Sequence, residues 1–195
     1  MRRLAILACA ALMMAGGVAR NEARADPAVT GIAIASAALF GMSLFLDSPK
    51  GDEKHFVTLE GGRFDVLDRE NVATEGGIEF RPGWTLWKFR PLVGARATTD
   101  ETFYVYAGGR FDVHFGHRFV VSPTFALAYY HKGDGKDLGS EGVGRSGIDL
   151  QYRFDNDMRL GVGFHHMSHG KLMNKDFNPG TETLGLTFSV PLGGR

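Results

Sequence analysis

Cysteine is almost missing from this sequence: the 195 residues contain one, Cys9. A disulfide framework or a cysteine-based metal site is therefore excluded from everything after it. An excess of charge is missing too, because 22 basic residues face 22 acidic ones. That balance argues against a nucleic-acid binder, which would carry a basic excess or stripe. From His55 onward no stretch sustains helical periodicity. Glycine and phenylalanine, in contrast, are plentiful at 27 and 15. Long helices disfavour both, whereas strands and turns tolerate them.

The N-terminus has the form of an export signal. Arg2 and Arg3 give a positive start, Leu4 to Met14 a short apolar core, and Ala23-Arg24-Ala25 a small-x-small cleavage site. Residues 1–25 are therefore expected to be a signal peptide that carries Cys9 away with it. The alternatives are an uncleaved N-terminal helix or a lipidated Cys9. Residues 26–53 form a separate N-terminal segment. Within it, Val29 to Leu46 is apolar, rich in alanine and near the length of about 20 residues that a membrane span needs. It reads equally as a transmembrane helix, a helix or plug beside a barrel, or part of a long export signal. Asp47 to Asp52 breaks it.

Residues 54–195 read as one all-β domain. Apolar and polar residues alternate in eight segments, at 54–66, 71–81, 84–97, 101–115, 118–131, 143–154, 157–168 and 181–190, separated by Gly, Asp, Asn and Pro. Successive side chains on a strand point to opposite faces, so each segment has an apolar wall and a charged wall. In the fourth, Phe103, Val105 and Ala107 oppose Tyr104, Tyr106 and Arg110; in the sixth, Ile148, Leu150 and Tyr152 oppose Arg145, Asp149 and Gln151. Most segments exceed the usual ~5–6 residues of a globular strand and suit the ~9–11 of a tilted membrane strand. The expectation is an eight-stranded antiparallel transmembrane β-barrel of a bacterial outer membrane, its apolar faces toward lipid and its mixed charges paired in a narrow lumen. A soluble lipocalin-like barrel, apolar side in, is the alternative.

Chemistry concentrates at one hairpin. Leu160, Val162, Phe164, His166 and Ser168 share one face of the seventh segment, and Glu182, Leu184, Leu186, Phe188 and Val190 share one face of the eighth. Two apolar walls thus end in polar groups where the segments meet. With His166 opposite Glu182, a serine, a histidine and a carboxylate cluster on the outer wall. Serine needs a base to take its proton, the imidazole is that base, and the carboxylate fixes its tautomer. Backbone N–H groups at His169, Gly170 and Lys171 could steady an oxyanion. In an eight-stranded barrel with periplasmic termini this hairpin is external, so the natural substrate is a lipid ester of the outer leaflet. The competing readings are a chance His-x-Ser pair and a metal cluster of His165, His166 and His169. Neighbours on a strand point apart, which disfavours the latter. His165 and His169 are expected to face the lumen or loop, and His114, His117 and His131 the interface or lumen.

At this hairpin the sequence resembles the lipid A 3-O-deacylase (PagL) family, whose pattern is His-x-Ser-Asn followed by a Glu opening the last strand. His166-Met167-Ser168 matches the first three positions, and Glu182, after Asn178-Pro179-Gly180-Thr181, matches the acid. His169 stands where the family has Asn, at a position that helps form the oxyanion hole. The resemblance implies hydrolysis of the ester-linked acyl chain at the 3 position of lipid A by Ser168, His166 and Glu182, with no metal or cofactor. Lipid A and the outer membrane are the expected partners, with a homodimer left open. The other functional classes are a non-catalytic structural or adhesive barrel and a soluble periplasmic lipid-binding barrel.

Overall fold

The computed structural model describes residues 27–45, 54–170 and 177–193. The expected signal peptide and Lys171 lie outside the described residues. Among the described residues nine strand segments follow one helix: β1 (His55–Phe64), β2 (Ala73–Arg81), β3 (Arg90–Thr98), β4 (Phe103–Arg110), β5 (Val113–Phe115), β6 (Phe119–His131), β7 (Gly142–Arg153), β8 (Arg159–Ser168) and β9 (Thr181–Leu192). All pairings are antiparallel. β1 pairs with β2 and with β9, and both β4 and β5 pair with β6, so the sheet closes on itself. β4 and β5 are one stave broken at Phe111-Asp112, and the architecture is a closed eight-stranded barrel.

The two walls decide which side faces lipid. Leu127 and Leu186 are 72% and 62% exposed on the outside, and Leu59, Ile78, Val93 and Val162 point outward with them. Glu60, Glu75, Glu79, Arg81, Arg96, Arg145 and Asp149 are buried in the interior. A soluble barrel would carry the reverse arrangement, because an uncovered leucine wall is stable only against hydrocarbon. Eight strands leave an interior just wide enough for side chains, and this one is filled by ion pairs. Arg81 donates to Asp149 at 2.6 Å and to Glu79. Arg96 donates to Glu75 at 2.5 Å and pairs with Glu60. The Tyr106 hydroxyl donates to Glu79 at 2.8 Å, and the Arg145 guanidinium lies 4.5 Å over the Tyr106 ring. Buried charges are tolerated where opposite signs pair, as Arg81 and Arg96 do with their acids, whereas Arg145 meets the Tyr106 ring.

The described strands match the expected segments closely, with two exceptions. The third starts at Arg90 rather than 84: Gly83 to Phe89 turns back on itself through a Leu86–Phe89 bridge, with Trp87 at φ +64°. Pro82 precedes that turn and has no N–H for a ladder. Trp84, Leu86 and Trp87 are exposed there, as in an aromatic belt at a membrane interface. The fourth is interrupted, as stated. The N-terminal apolar stretch forms α1 (Pro27–Phe45), which lies outside the barrel against β7 and β5.

Candidate active site

β8 and β9 pair in the register that sets His166 against Glu182. Their side chains meet on the outer wall: His166 Nδ1 and Glu182 Oε1 are 2.7 Å apart, and both residues are buried, at 7% and 1% exposure. With Glu182 as a carboxylate, which only accepts, this contact requires the proton on Nδ1 and leaves Nε2 as the basic nitrogen. Ser168 lies two residues along the same face and is half-buried. Two strand residues span about 6.6 Å between Cα atoms, a gap an imidazole can bridge. No hydrogen bond joins Ser168 to His166 among the described residues.

The turn before β9 covers this pair. A Cβ at Gly180 would lie 2.3 Å from His166 Cε1, so only glycine lets the chain rest on the imidazole. Asn178 reaches the other strand: its Oδ1 accepts the His169 N–H at 3.2 Å, and the His169 Nε2–H donates to the Phe177 carbonyl at 2.8 Å. The His169 amide, expected as an oxyanion donor, is thus engaged by Asn178. Gly170 follows at φ +59°. Sequence reasoning does not reveal Asn178 as a member of the site, because Asn-Pro-Gly reads as turn chemistry. Its spacing from Ser168 has no local period to mark it.

His165 points the other way. It sits in the lumen with Nε2 3.2 Å from Asp149 Oδ1, so His165 and His166 face opposite walls. His169 is buried at the loop, and His131 lies tilted against Phe103 at the rim with ring centroids 4.8 Å apart.

Just below the site the outer wall is purely apolar. Phe164 and Leu184 are paired across β8 and β9, each two residues from His166 and Glu182 respectively. With Ile148, Leu150 and Val162 they floor a cavity of about 390 Å³ whose other side is Gly31, Ile32 and Ala35 of α1.

A family model described as lipid A 3-O-deacylase (PagL) matches residues 69–191, well over half of the chain. The crystal structure of the outer membrane enzyme PagL aligns with a TM-score of 0.54 at 16% identity, covering 70% of this chain and 99% of that one. The crystal structure of Neisserial surface protein A gives a TM-score of 0.52 at 11% identity, covering 73% and 100%. A designed transmembrane β-barrel gives 0.50 at 13% identity, covering 72% and 98%. Among curated protein sequences none matches. These solved structures establish the fold, a small outer-membrane barrel, and give no support to a homodimer. The family match spans β2 to β9 and includes the whole hairpin that carries His166, Ser168 and Glu182, so the chain belongs to the lipid A 3-O-deacylase (PagL) family.

Proposed function

We propose that this chain hydrolyses the ester-linked acyl chain at the 3 position of lipid A, with Ser168 as nucleophile, His166 as general base and acid, and Glu182 as the orienting acid. The observation that carries the reading is the 2.7 Å His166–Glu182 contact on the lipid-facing wall, two residues from Ser168. With Nδ1–H held by Glu182, His166 Nε2 takes the Ser168 proton as Oγ attacks the ester carbonyl. The imidazolium is stabilised by the buried carboxylate. The tetrahedral intermediate collapses as Nε2 returns that proton to the departing sugar oxygen, leaving an acyl-serine. Water then attacks the acyl-serine, gives its proton to Nε2 and releases the fatty acid, while Ser168 regains its hydrogen.

Donors for the oxyanion come from the turn after Ser168 and from the turn before β9. His169 spends its N–H on Asn178 Oδ1, so the proposed donors are the Gly170 and Lys171 amides and the Asn178 side-chain NH₂. The apolar wall of Phe164, Leu184 and Val162 takes the acyl chain. Mass spectrometry of lipid A from membranes with and without the protein tests the reading. Wild type should remove one 3-linked acyl chain and Ser168→Ala should remove none. Continued loss in the Ser168→Ala strain rules out the assignment, and unchanged lipid A in both favours a non-catalytic barrel.

A further inference from the structure

The loop between β6 and β7, residues 132–141, crosses the outer mouth of the barrel. Its base is tied down: the Asp134 N–H donates to the Asp100 carbonyl at 2.9 Å, and the Thr102 hydroxyl donates to the Lys132 carbonyl at 2.6 Å. Leu138 is buried in the mouth in one cluster with Tyr130, Val143 and Met167, the residue between His166 and Ser168. A leucine in that position is anchored by the hydrophobic effect.

Two other residues of this loop lead to the two halves of the site. Lys136, only 3% exposed although it is on an outer loop, donates to Asp65 Oδ1 and Asp68 Oδ2, both at 2.7 Å. Asp65 is fully buried at φ +55°, and its Oδ2 accepts the N–H groups of Glu70 and Asn71 at 2.9 and 2.8 Å. The next residue, Val66, donates its N–H to the Glu182 carbonyl at 3.1 Å, and the Thr181 hydroxyl approaches Asp65 Oδ1 at 3.4 Å. Asp65 therefore holds the segment that fixes the backbone of the acid. On the other side stands Gly139, at φ +76°. A Cβ there would come within 2.9 Å of Phe177 and 3.2 Å of His169 Nε2, the pair that shapes the turn after Ser168.

We infer that the β6–β7 loop is a strap that sets the spacing between Glu182 and the Ser168 turn, and that Lys136 is its positioning residue, acting through Asp65 rather than on the substrate. A long-stemmed ammonium suits this task, because it must cross the mouth to two carboxylates while its own loop is held elsewhere. Burial alone would raise the Asp65 carboxyl, but the Lys136 ammonium and the Asn71 and Glu70 amides more than offset it and hold it below the usual carboxylate range. The pair is therefore charged at neutral pH. Breaking it leaves Asp65 buried without its cation, and the Val66–Glu182 contact shifts with it.

The inference rests on the proposed esterase reading, and one experiment separates them. Purified wild type, Lys136→Met, Lys136→Arg and Asp68→Asn are assayed on lipopolysaccharide in detergent micelles, with folding checked by mobility on unheated gels. A misplaced group of about 1 Å costs about 10²-fold; a partial shift should lower kcat of Lys136→Met about tenfold with KM nearly unchanged. Lys136→Arg should recover most of the loss, and Asp68→Asn, which removes one half-exposed partner, should lose about twofold. Folded Lys136→Met with wild-type kcat overturns the inference while the esterase reading stands. Equal losses in the Met and Arg variants overturn it as well, since shape rather than charge would then be at work. If Lys136→Met does not fold, wild-type kcat in Asp68→Asn overturns it. A wild-type protein that leaves lipid A intact overturns both.

Discussion

Replacing Glu182 by Gln keeps the size and shape of the side chain and removes its charge. In the ground state little changes: the amide oxygen still accepts from His166 Nδ1 over the present 2.7 Å. In the transition state the imidazole becomes a cation, and two unit charges about 4 Å apart at an effective permittivity of about 20 attract by about 4 kcal/mol. That energy is about three decades in rate. A second effect adds to it. Gln can also turn its NH₂ toward Nδ1, moving the imidazole proton to Nε2 and disabling the base; the equivalent change in Ser-His-Asp enzymes costs about 10⁴ in kcat. Glu182 and His166 are 1% and 7% exposed, so bulk water is poorly placed to replace the lost charge. Glu182→Gln should thus lower kcat by about 10³ to 10⁴ with KM little altered. Single-turnover release of the fatty acid from lipopolysaccharide, followed by mass spectrometry, measures this. A folded Glu182→Gln barrel within tenfold of wild-type kcat would refute the role assigned to the carboxylate.

Three further outcomes follow from the same geometry. Gly180→Ala puts a methyl group 2.3 Å from His166 Cε1, so the imidazole must move and kcat should fall by up to about 10²-fold while the barrel still migrates as folded on an unheated gel. Arg81→Ala strips the cation from Asp149 and Glu79 and should lower stability by about 3–5 kcal/mol, read as an earlier urea midpoint in micelles. Leu186→Arg, on the lipid face, should cost about 2–4 kcal/mol, whereas Leu192→Arg at the end of the same strand should cost about 0–1 kcal/mol. Equal costs at the two sites would mean that this wall does not face a hydrocarbon layer.

Features with a local period are legible in the sequence. Alternation over two residues marks a strand wherever one wall differs from the other, so all eight segments can be placed, and the same parity puts His166, Ser168 and Glu182 on one side of one hairpin. Two staves depart from the sequence pattern where composition and pairing part company. Trp84, Leu86 and Trp87 are apolar and exposed, as interfacial residues are, although their backbone leaves the ladder. Phe111 and Asp112 interrupt the fourth stave, because Asp112 turns in to Arg110 and to the Ser122 hydroxyl at 2.7 Å. Contacts across loops are not legible at all. Lys136 and Asp65 are 71 positions apart, and nothing near either one marks the other. Asn178 has the same difficulty at shorter range: an Asn-Pro-Gly run signals a turn, and only the folded chain brings its amide to the residue after Ser168.

The height of the site on the barrel follows from two opposing demands. An esterase for a membrane lipid needs its charges beside hydrocarbon, yet an ionised group on the lipid face is costly at mid-depth and nearly free at the rim. His166 and Ser168 end β8 and Glu182 begins β9, so the polar groups stand at the rim. The Asn178-Pro179-Gly180 turn then covers them and leaves Glu182 1% exposed. One step down, Phe164 and Leu184 restore an apolar wall. An acylated sugar has the same vertical order, polar ring above and hydrocarbon below, with its ester at the boundary. The wall changes chemistry between residues 164 and 166 on one strand and between 182 and 184 on the next, which fits the proposed role of Ser168 at that boundary. On the proposed reading, moving the same three residues two positions toward the middle of their strands should preserve their mutual geometry and still abolish lipid A deacylation, because the ester would no longer lie at the level of the proposed nucleophile.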